Sequence, residues 1–167
     1  MIETERKYII KAVDDKILAE FDGYTKITIS QTYLDGDGIT RRVRKSIFPD
    51  GKTEYVYNTK KRISPISCIE DEQIIDEQRY NLLLGQKQAG TATVEKTRRK
   101  FVYKSQTFEV DSYPFSDPLC ICETELESEE MRAEFPPQIE VVREVSGDKH
   151  FSNHSMAKLL FNGQNPF

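Results

Sequence analysis

An α+β protein, rich in strands that enclose a charged interior, is the fold class this sequence predicts, and three observations predict it. Charge pairs recur at a spacing of two: Glu3 and Glu5 followed by Lys7, then Arg42 and Arg44, Glu70 and Glu72, Lys96 and Arg98, Glu123 and Glu125. Alternate residues of an extended strand share a face, so strands that all carry such pairs need one common enclosure for them. Charged residues make up 31% of the chain against 37% hydrophobic, which suits a polar interior with apolar burial moved to outward strand faces under helices. Finally, eight segments with strand character follow one another, separated by turn-forming residues and a few short stretches of helical spacing.

The first strand, Ile2 to Tyr8, places Glu3, Glu5 and Lys7 in one row. Asp14 to Phe21 has Ile17, Leu18 and Phe21 at helical spacing with an aspartate available as N-cap, and predicts a short helix ended by Gly23. Thr25 to Leu34 alternates into a second strand, Asp35-Gly36-Asp37-Gly38 turns it, and Ile39 to Phe48 returns as a third with Arg42 and Arg44 in phase. After Pro49-Asp50-Gly51 comes Thr53 to Arg62, with Val56, Asn58 and Lys60 on one face. Lys60 and Lys61 face oppositely, and Lys60 is taken as the inward one; a one-residue slip would reverse the choice. Ser67 to Ile75 is a fifth strand, carrying Glu70 and Glu72, and Asp76 to Leu84 predicts a helix that plugs or covers one end. Thr91 to Tyr103, Thr107 to Tyr113 and Leu119 to Leu126 complete the eight; the seventh brings Glu109 and Asp111. Ser128 to Phe135 is expected as a helix stopped by Pro136-Pro137, followed by a brief strand, Ile139 to Val145, and a helix, Ser155 to Phe161. The tail, Asn162 to Phe167, is expected to fray.

Length and charge exclude several classes. A chain of 167 residues is long enough for a sizeable core and short enough for one domain, 1–167. A net charge of −4 and a pI near 5.4 leave no electrostatic footprint for nucleic acid, so any phosphate must be met by local cations and metal. No apolar run is long enough to span a membrane and no signal-peptide pattern opens the chain, so a cytoplasmic protein is expected. Cys68, Cys120 and Cys122 form no Cys-x-x-Cys pair and read as reduced structural thiols. His150 and His154 are four apart, but Ser152-Asn153 between them resembles a helix cap, so both are expected at the surface rather than as a metal pair. There is no Walker pattern and no serine with a triad around it.

The ordered series of charge pairs resembles the CYTH superfamily, the triphosphate tunnel metalloenzymes, whose hallmark Glu-x-Glu-x-Lys stands here as Glu3-Thr4-Glu5-Arg6-Lys7. The resemblance continues through Arg42, Arg44, Lys60, Lys96, Arg98, Asp111, Glu123 and Glu125, and the stretch Glu144 to Lys149 with Asn153 is similar to the family's C-terminal loop. It implies an eight-stranded antiparallel β-barrel whose lumen holds a triphosphate and a divalent metal, with helices packed outside and at one end. In that reading Lys7, Arg42, Arg44, Lys60, Lys96 and Arg98 bind phosphate, the arginines as planar forks and the lysines as point charges. Glu3 and Glu5, and with them Glu123 and Glu125, are metal ligands for Mg2+ or Mn2+ and catalytic carboxylates, since hard cations prefer oxygen donors. Glu70, Glu72 and Asp111 are auxiliary, as ligands or as orienters of the cations. The expected reaction is hydrolysis by in-line attack of water on the terminal phosphoryl group. Inorganic tripolyphosphate leads as substrate, ahead of nucleoside or thiamine triphosphates and of the cyclase activity also found in the family. A binding module for polyphosphate and an inert barrel of paired charges are the readings from other classes.

Overall fold

A computed structural model describes residues 1–167, with nine strands and three short helices. They are β1 (Ile2–Lys11), α1 (Asp15–Leu18), β2 (Asp22–Leu34), β3 (Thr40–Ile47), β4 (Thr53–Arg62), β5 (Ser67–Ile75), α2 (Glu77–Leu84), β6 (Val94–Tyr103), β7 (Gln106–Ser112), β8 (Leu119–Glu125), β9 (Val141–Glu144) and α3 (Asn153–Phe161). Asp14, Asp76 and Ser152 cap the three helices, each accepting a hydrogen bond from a first-turn amide. No helix is long and apolar enough to cross a membrane.

The strands pair antiparallel in the order β5-β4-β3-β2-β6-β7-β8-β1, and β1 also pairs with β5, so eight strands close into a ring. β1 is paired on both edges: on one by β8, through Glu5 to Lys11, and on the other first by β5, through Ile2 to Thr4, and then by β9, through Tyr8 to Ile10. Closure leaves no edge among the eight and gives every strand an inward and an outward row.

The outward rows carry two apolar layers. Tyr8, Ile10, Phe101, Phe108, Val110, Cys120 and Cys122 pack with Leu18 of α1 and Ile139, with the Phe101 and Phe108 rings stacked at 5.4 Å. Val43, Leu34 and Ile75 receive Tyr80 and Leu83 of α2. This corrects the expectation that the 76–84 helix would close one end. Its apolar side chains are matched by outward residues of β2, β3 and β5, so α2 lies on the outer wall.

The end is closed by the C-terminus instead. Beyond the charges, the inward rows turn apolar: Ile9 follows Lys7, Ile121 precedes Glu123, Val94 precedes Lys96, and Tyr113 follows Asp111. With Tyr33 these side chains form a plug against Phe151, Met156 and Ala157. The inward faces thus supply part of the core, contrary to the sequence expectation, because each strand outruns the charged section it carries. The tail is held by the same cluster: Phe167 packs on it, and the Pro166 carbonyl accepts a hydrogen bond from His150 Nε2 at 2.7 Å. The expected fraying is therefore not found.

Residues 128–135 form no helix. Their backbone groups are taken by side chains from elsewhere: Arg6 donates to the carbonyls of Glu129 and Met131, and Gln106 bonds the Arg132 carbonyl and the Glu134 amide. Phe135 then reaches the Tyr8 and Phe108 rings, a contact that requires an extended chain. Partners distant in sequence outbid the local acidic start signal.

The plug can be tested by cavity creation. Met156 has no exposed surface. Met156→Ala is expected to lower stability by about 2–5 kcal/mol, read from the urea unfolding midpoint.

Candidate functional site

Register turns the sequence pattern into chemistry. Cross-strand neighbours on the inner face include Lys7 with Glu123, Arg98 with Asp111, Lys60 with Glu70, and Arg42 with Asn58, each the closest pairing a sheet allows. Lys7, Arg42, Lys60, Glu70, Arg98 and Glu123 of these pairs line a cavity of about 840 Å³. Of the residues singled out in the sequence, Glu3, Glu5, Lys7, Arg42, Arg44, Lys60, Glu70, Glu72, Lys96, Arg98, Glu123 and Glu125 all reach it. Asp111 lies just beneath the lining, with no exposed surface. Lys61 is on the outer wall.

Two ionic groups face each other across this space. In the first, Arg98 grips Asp111 through Nε and a terminal nitrogen, each at 2.7 Å, and Lys96 Nζ meets the same carboxylate at 2.7 Å. Arg98 also contacts Glu123 at 3.2 Å and Glu109 more closely, and Lys7 Nζ lies 2.8 Å from Glu123. Glu109 and Glu123 are direct cross-strand partners of like charge, a pairing that holds because Arg98 bridges them. Burial lowers the Lys96 pKa to about 8, helped by the Arg98 charge and opposed by Asp111. The Glu123 carboxyl is held well below its usual range: burial opposes this, but Lys7, Arg98 and Lys96 overcome it.

The second group is acidic. Lys60 Nζ sits 2.8 Å from Glu3 and 2.5 Å from Glu70, Arg42 is 3.5 Å from Glu70, and the Asn58 amide donates to the same carboxylate. Arg44 meets Glu72 at 3.2 Å. Glu3, Glu5 and Glu70 converge on one lysine. Burial, a hydrogen bond shared with Glu70 and the Glu5 charge push Glu3 up to about 9. Glu70 is pulled down to about 2, because that shared hydrogen bond, Lys60 and Arg42 together outweigh its burial. The contact between the two carboxyls thus raises the proton affinity of Glu3 and lowers that of Glu70. Burial and the Glu123 charge likewise raise Glu5. Glu125 is exposed and directly opposite Glu5 in register.

Among the cations, the Nε atoms of Arg42 and Arg44 are buried without a hydrogen-bond partner. A buried unpaired donor is costly; both atoms lie beneath the cavity surface, while the terminal nitrogens of these arginines reach Glu70 and Glu72.

Several contributors carried no role in the sequence reading. Glu109 was visible in phase with Asp111, and Asn58 with Lys60, but nothing in the spacing distinguished them from wall residues. Cys68 is in phase with Glu70 and points its Sγ to 3.6 Å from Glu3. Burial pushes this thiol up to about 11. His154 is half-buried rather than at the surface, stacked on Tyr33 with centroids 4.7 Å apart and bonded to Gln88 at 2.7 Å. The loop Val145–Lys149 covers one rim of the cavity, and its Gly147, at φ +73°, leaves no room for a side chain: a Cβ there would meet Pro65 at 3.0 Å.

Residues 1–155 match the model of the CYTH domain family, and the chain belongs to that family. A solved structure of the inorganic triphosphatase NE1496 is 28% identical, with a TM-score of 0.58 over 93% of this chain and 94% of that one. PH1819 from Pyrococcus horikoshii OT3 is 24% identical with a TM-score of 0.58, covering 77% of this chain and 80% of its own. HpAC1 from Hippeastrum, described as having a dominant triphosphatase activity, shares the fold at 16% identity, with a TM-score of 0.52 over 77% of this chain and 81% of that one. A search of curated protein sequences found no match.

Asp111 neutralises Lys96 and Arg98 where no water reaches. Asp111→Asn is expected to destabilise the protein by about 3–5 kcal/mol, because it leaves two buried cations underpaired; chemical denaturation of the purified variant measures it.

Proposed function

We propose that this protein hydrolyses a triphosphate inside the strand ring with the help of a divalent metal, inorganic tripolyphosphate being the substrate. The observation that carries this reading is the convergence of Lys7, Arg42, Arg44, Lys60, Lys96 and Arg98 on one cavity together with the Glu3 and Glu5 pair. A compact polyanion replaces repulsion among the cations with attraction. The family membership and the likeness to the inorganic triphosphatase NE1496 support it.

The donor set fits a hard divalent cation. Glu3 and Glu5 are paired carboxylates on one face of β1, Glu70 and the Cys68 thiol lie within ligand reach of Glu3, and burial with the neighbouring acids raises Glu3 to about 9. Glu3, Glu5 and Glu70 would hold a divalent ion in place of a proton on that cluster, their carboxylate oxygens favouring Mg2+ or Mn2+ over softer metals. Bound there, the ion supplies Lewis-acid neutralisation of charge on the phosphoryl oxygens.

The remaining work falls to the chain. Arg42 and Arg44 orient the phosphate chain with planar donors, while Lys7, Lys60, Lys96 and Arg98 stabilise charge on the transferring and leaving groups. Glu123 is occupied with Lys7 and Arg98 and fixes their positions. The Glu5 and Glu125 carboxylates, opposite each other in register, orient the attacking water.

Phosphate release from tripolyphosphate, ATP and thiamine triphosphate tests this. Turnover is expected only with Mg2+ or Mn2+ and fastest with tripolyphosphate. Glu3→Gln and Glu5→Gln should each reduce kcat/KM by at least about a hundredfold. Turnover that ignores metal, or none with any substrate, would sink the proposal.

A pH dependence follows from the proton on Glu3. Below about pH 9 a metal must displace it, so each ion bound at neutral pH should release a proton, and affinity should rise with pH. The slope is expected to approach about tenfold per pH unit. Calorimetric titration of Mn2+ without substrate, in buffers of different ionisation enthalpy, measures both; a flat profile between pH 6 and 8 contradicts the assignment.

A further inference from the structure

The acidic group of the lumen includes a sulfur. Cys68 is the cross-strand partner of Glu3 and lies two residues before Glu70 on β5, so the register of β1 against β5 brings one thiol and two carboxylates to the same part of the lumen wall. One ligating atom from each of the three lies within 4.8 Å of the others. Cys68 Sγ is 3.6 Å from Glu3 Oε2. Two donors that share a tetrahedral zinc ion, sulfur at about 2.3 Å and oxygen at about 2.1 Å, stand about 3.6 Å apart. The pair is therefore spaced for a common ion with neither strand moved. A weak S–H···O hydrogen bond accounts for the same distance, and the two readings differ in what a serine at this position would do.

Two further features mark the cluster as a place for a cation. Glu70 is 7% exposed, and its buried Oε2 accepts no hydrogen bond. What faces that oxygen is Lys60 Nζ, at 2.5 Å, which also lies 2.8 Å from Glu3, so the protein's own ammonium rests between the two carboxylates. The flexible stem of a lysine lets that ammonium withdraw when an ion of higher charge arrives. The other two thiols take no part: Cys120 and Cys122 are buried on the outer face of β8 in the aromatic core.

We infer that Cys68 is a ligand of the divalent site, so that the site binds a thiophilic ion such as Zn2+ more tightly than Mg2+ or Mn2+. The inference rests on the proposed metal-binding role of Glu3. Magnesium and manganese take oxygen donors and gain little from a thiol, whereas sulfur selects zinc and metals like it. On coordination the thiol gives its proton to solvent and binds as thiolate. Glu3, Cys68 and Glu70 then leave the remaining position of a tetrahedral ion open to water or a phosphate oxygen.

Co2+, which occupies the same kind of site as zinc and is coloured, is the probe. Titrated into the full-length, reduced, metal-free chain without substrate, it is expected to give thiolate-to-cobalt charge-transfer absorption that is absent in Cys68→Ser and abolished when Zn2+ displaces the cobalt. Calorimetry should show Zn2+ affinity at least about tenfold lower in Cys68→Ser, with a far smaller change for Mn2+. Cys68→Ala is expected to match Cys68→Ser, because a hydroxyl restores the hydrogen bond to Glu3 but not the sulfur. Cobalt that binds with no charge-transfer band, or Zn2+ affinity retained by Cys68→Ser, overturns the sulfur ligand and leaves the carboxylate site intact. Failure of Mn2+, Co2+ and Zn2+ alike to bind removes both.

Discussion

Neutralisation of buried cations by cross-strand carboxylates is the constraint on which this structure depends. Lys96 and Arg98 sit largely buried on β6, and Asp111, directly opposite Arg98 on β7, neutralises both, with Glu109 and Glu123 adding to the pairing of Arg98. A shift of one residue between those strands would send Asp111 outward and leave the cations facing apolar neighbours. Pairing of charge and pairing of backbone therefore specify the same register. Buried ion pairs contribute little net stability, but a mispaired one is strongly unfavourable, and that asymmetry selects a single alignment.

The apolar residues complete the selection. Phe101 and Phe108 lie outward on the same two strands, so the correct register also stacks their rings, while Val94 and Tyr113 at the inner end seal the charged section from one side. The lumen is thereby divided into a dry apolar plug and a wet ionic chamber. Within the chamber, one wall is balanced: Lys7, Lys96 and Arg98 meet Glu109, Asp111 and Glu123. The other is not: Glu3, Glu5 and Glu70 crowd Lys60, while Arg42 and Arg44 meet Glu70 and Glu72. A chamber with clustered acids beside clustered cations is suited to a metal and a polyanion taken together.

The functional reading thus rests on what the residues leave incomplete rather than on any single motif. Charges that satisfied one another throughout would describe an inert ring. The crowding of Glu3, Glu5 and Glu70 around Lys60 is the local departure from that state.

Much of this was legible in the chain alone. Period-two spacing placed Glu3, Glu5 and Lys7 on one face, and the same arithmetic aligned Arg42 with Arg44 and Glu123 with Glu125, because side-chain alternation in a strand is a property of the backbone and needs no partner. β4 and β5 lie where turn residues and alternation put them, from Thr53 to Arg62 and from Ser67 to Ile75. What depended on partners was not legible. Residues 128–135 carry a helix start signal, yet their carbonyls are claimed by Arg6 and Gln106, more than twenty residues away. The roles of Glu109, Cys68 and His154, the position of α2 on the wall and the plug formed by Ile9, Ile121 and Met156 followed only from which strands became neighbours. Local alternation settles which way a side chain points; ring closure settles what it meets, and proton affinity and ligand preference belong to that second question.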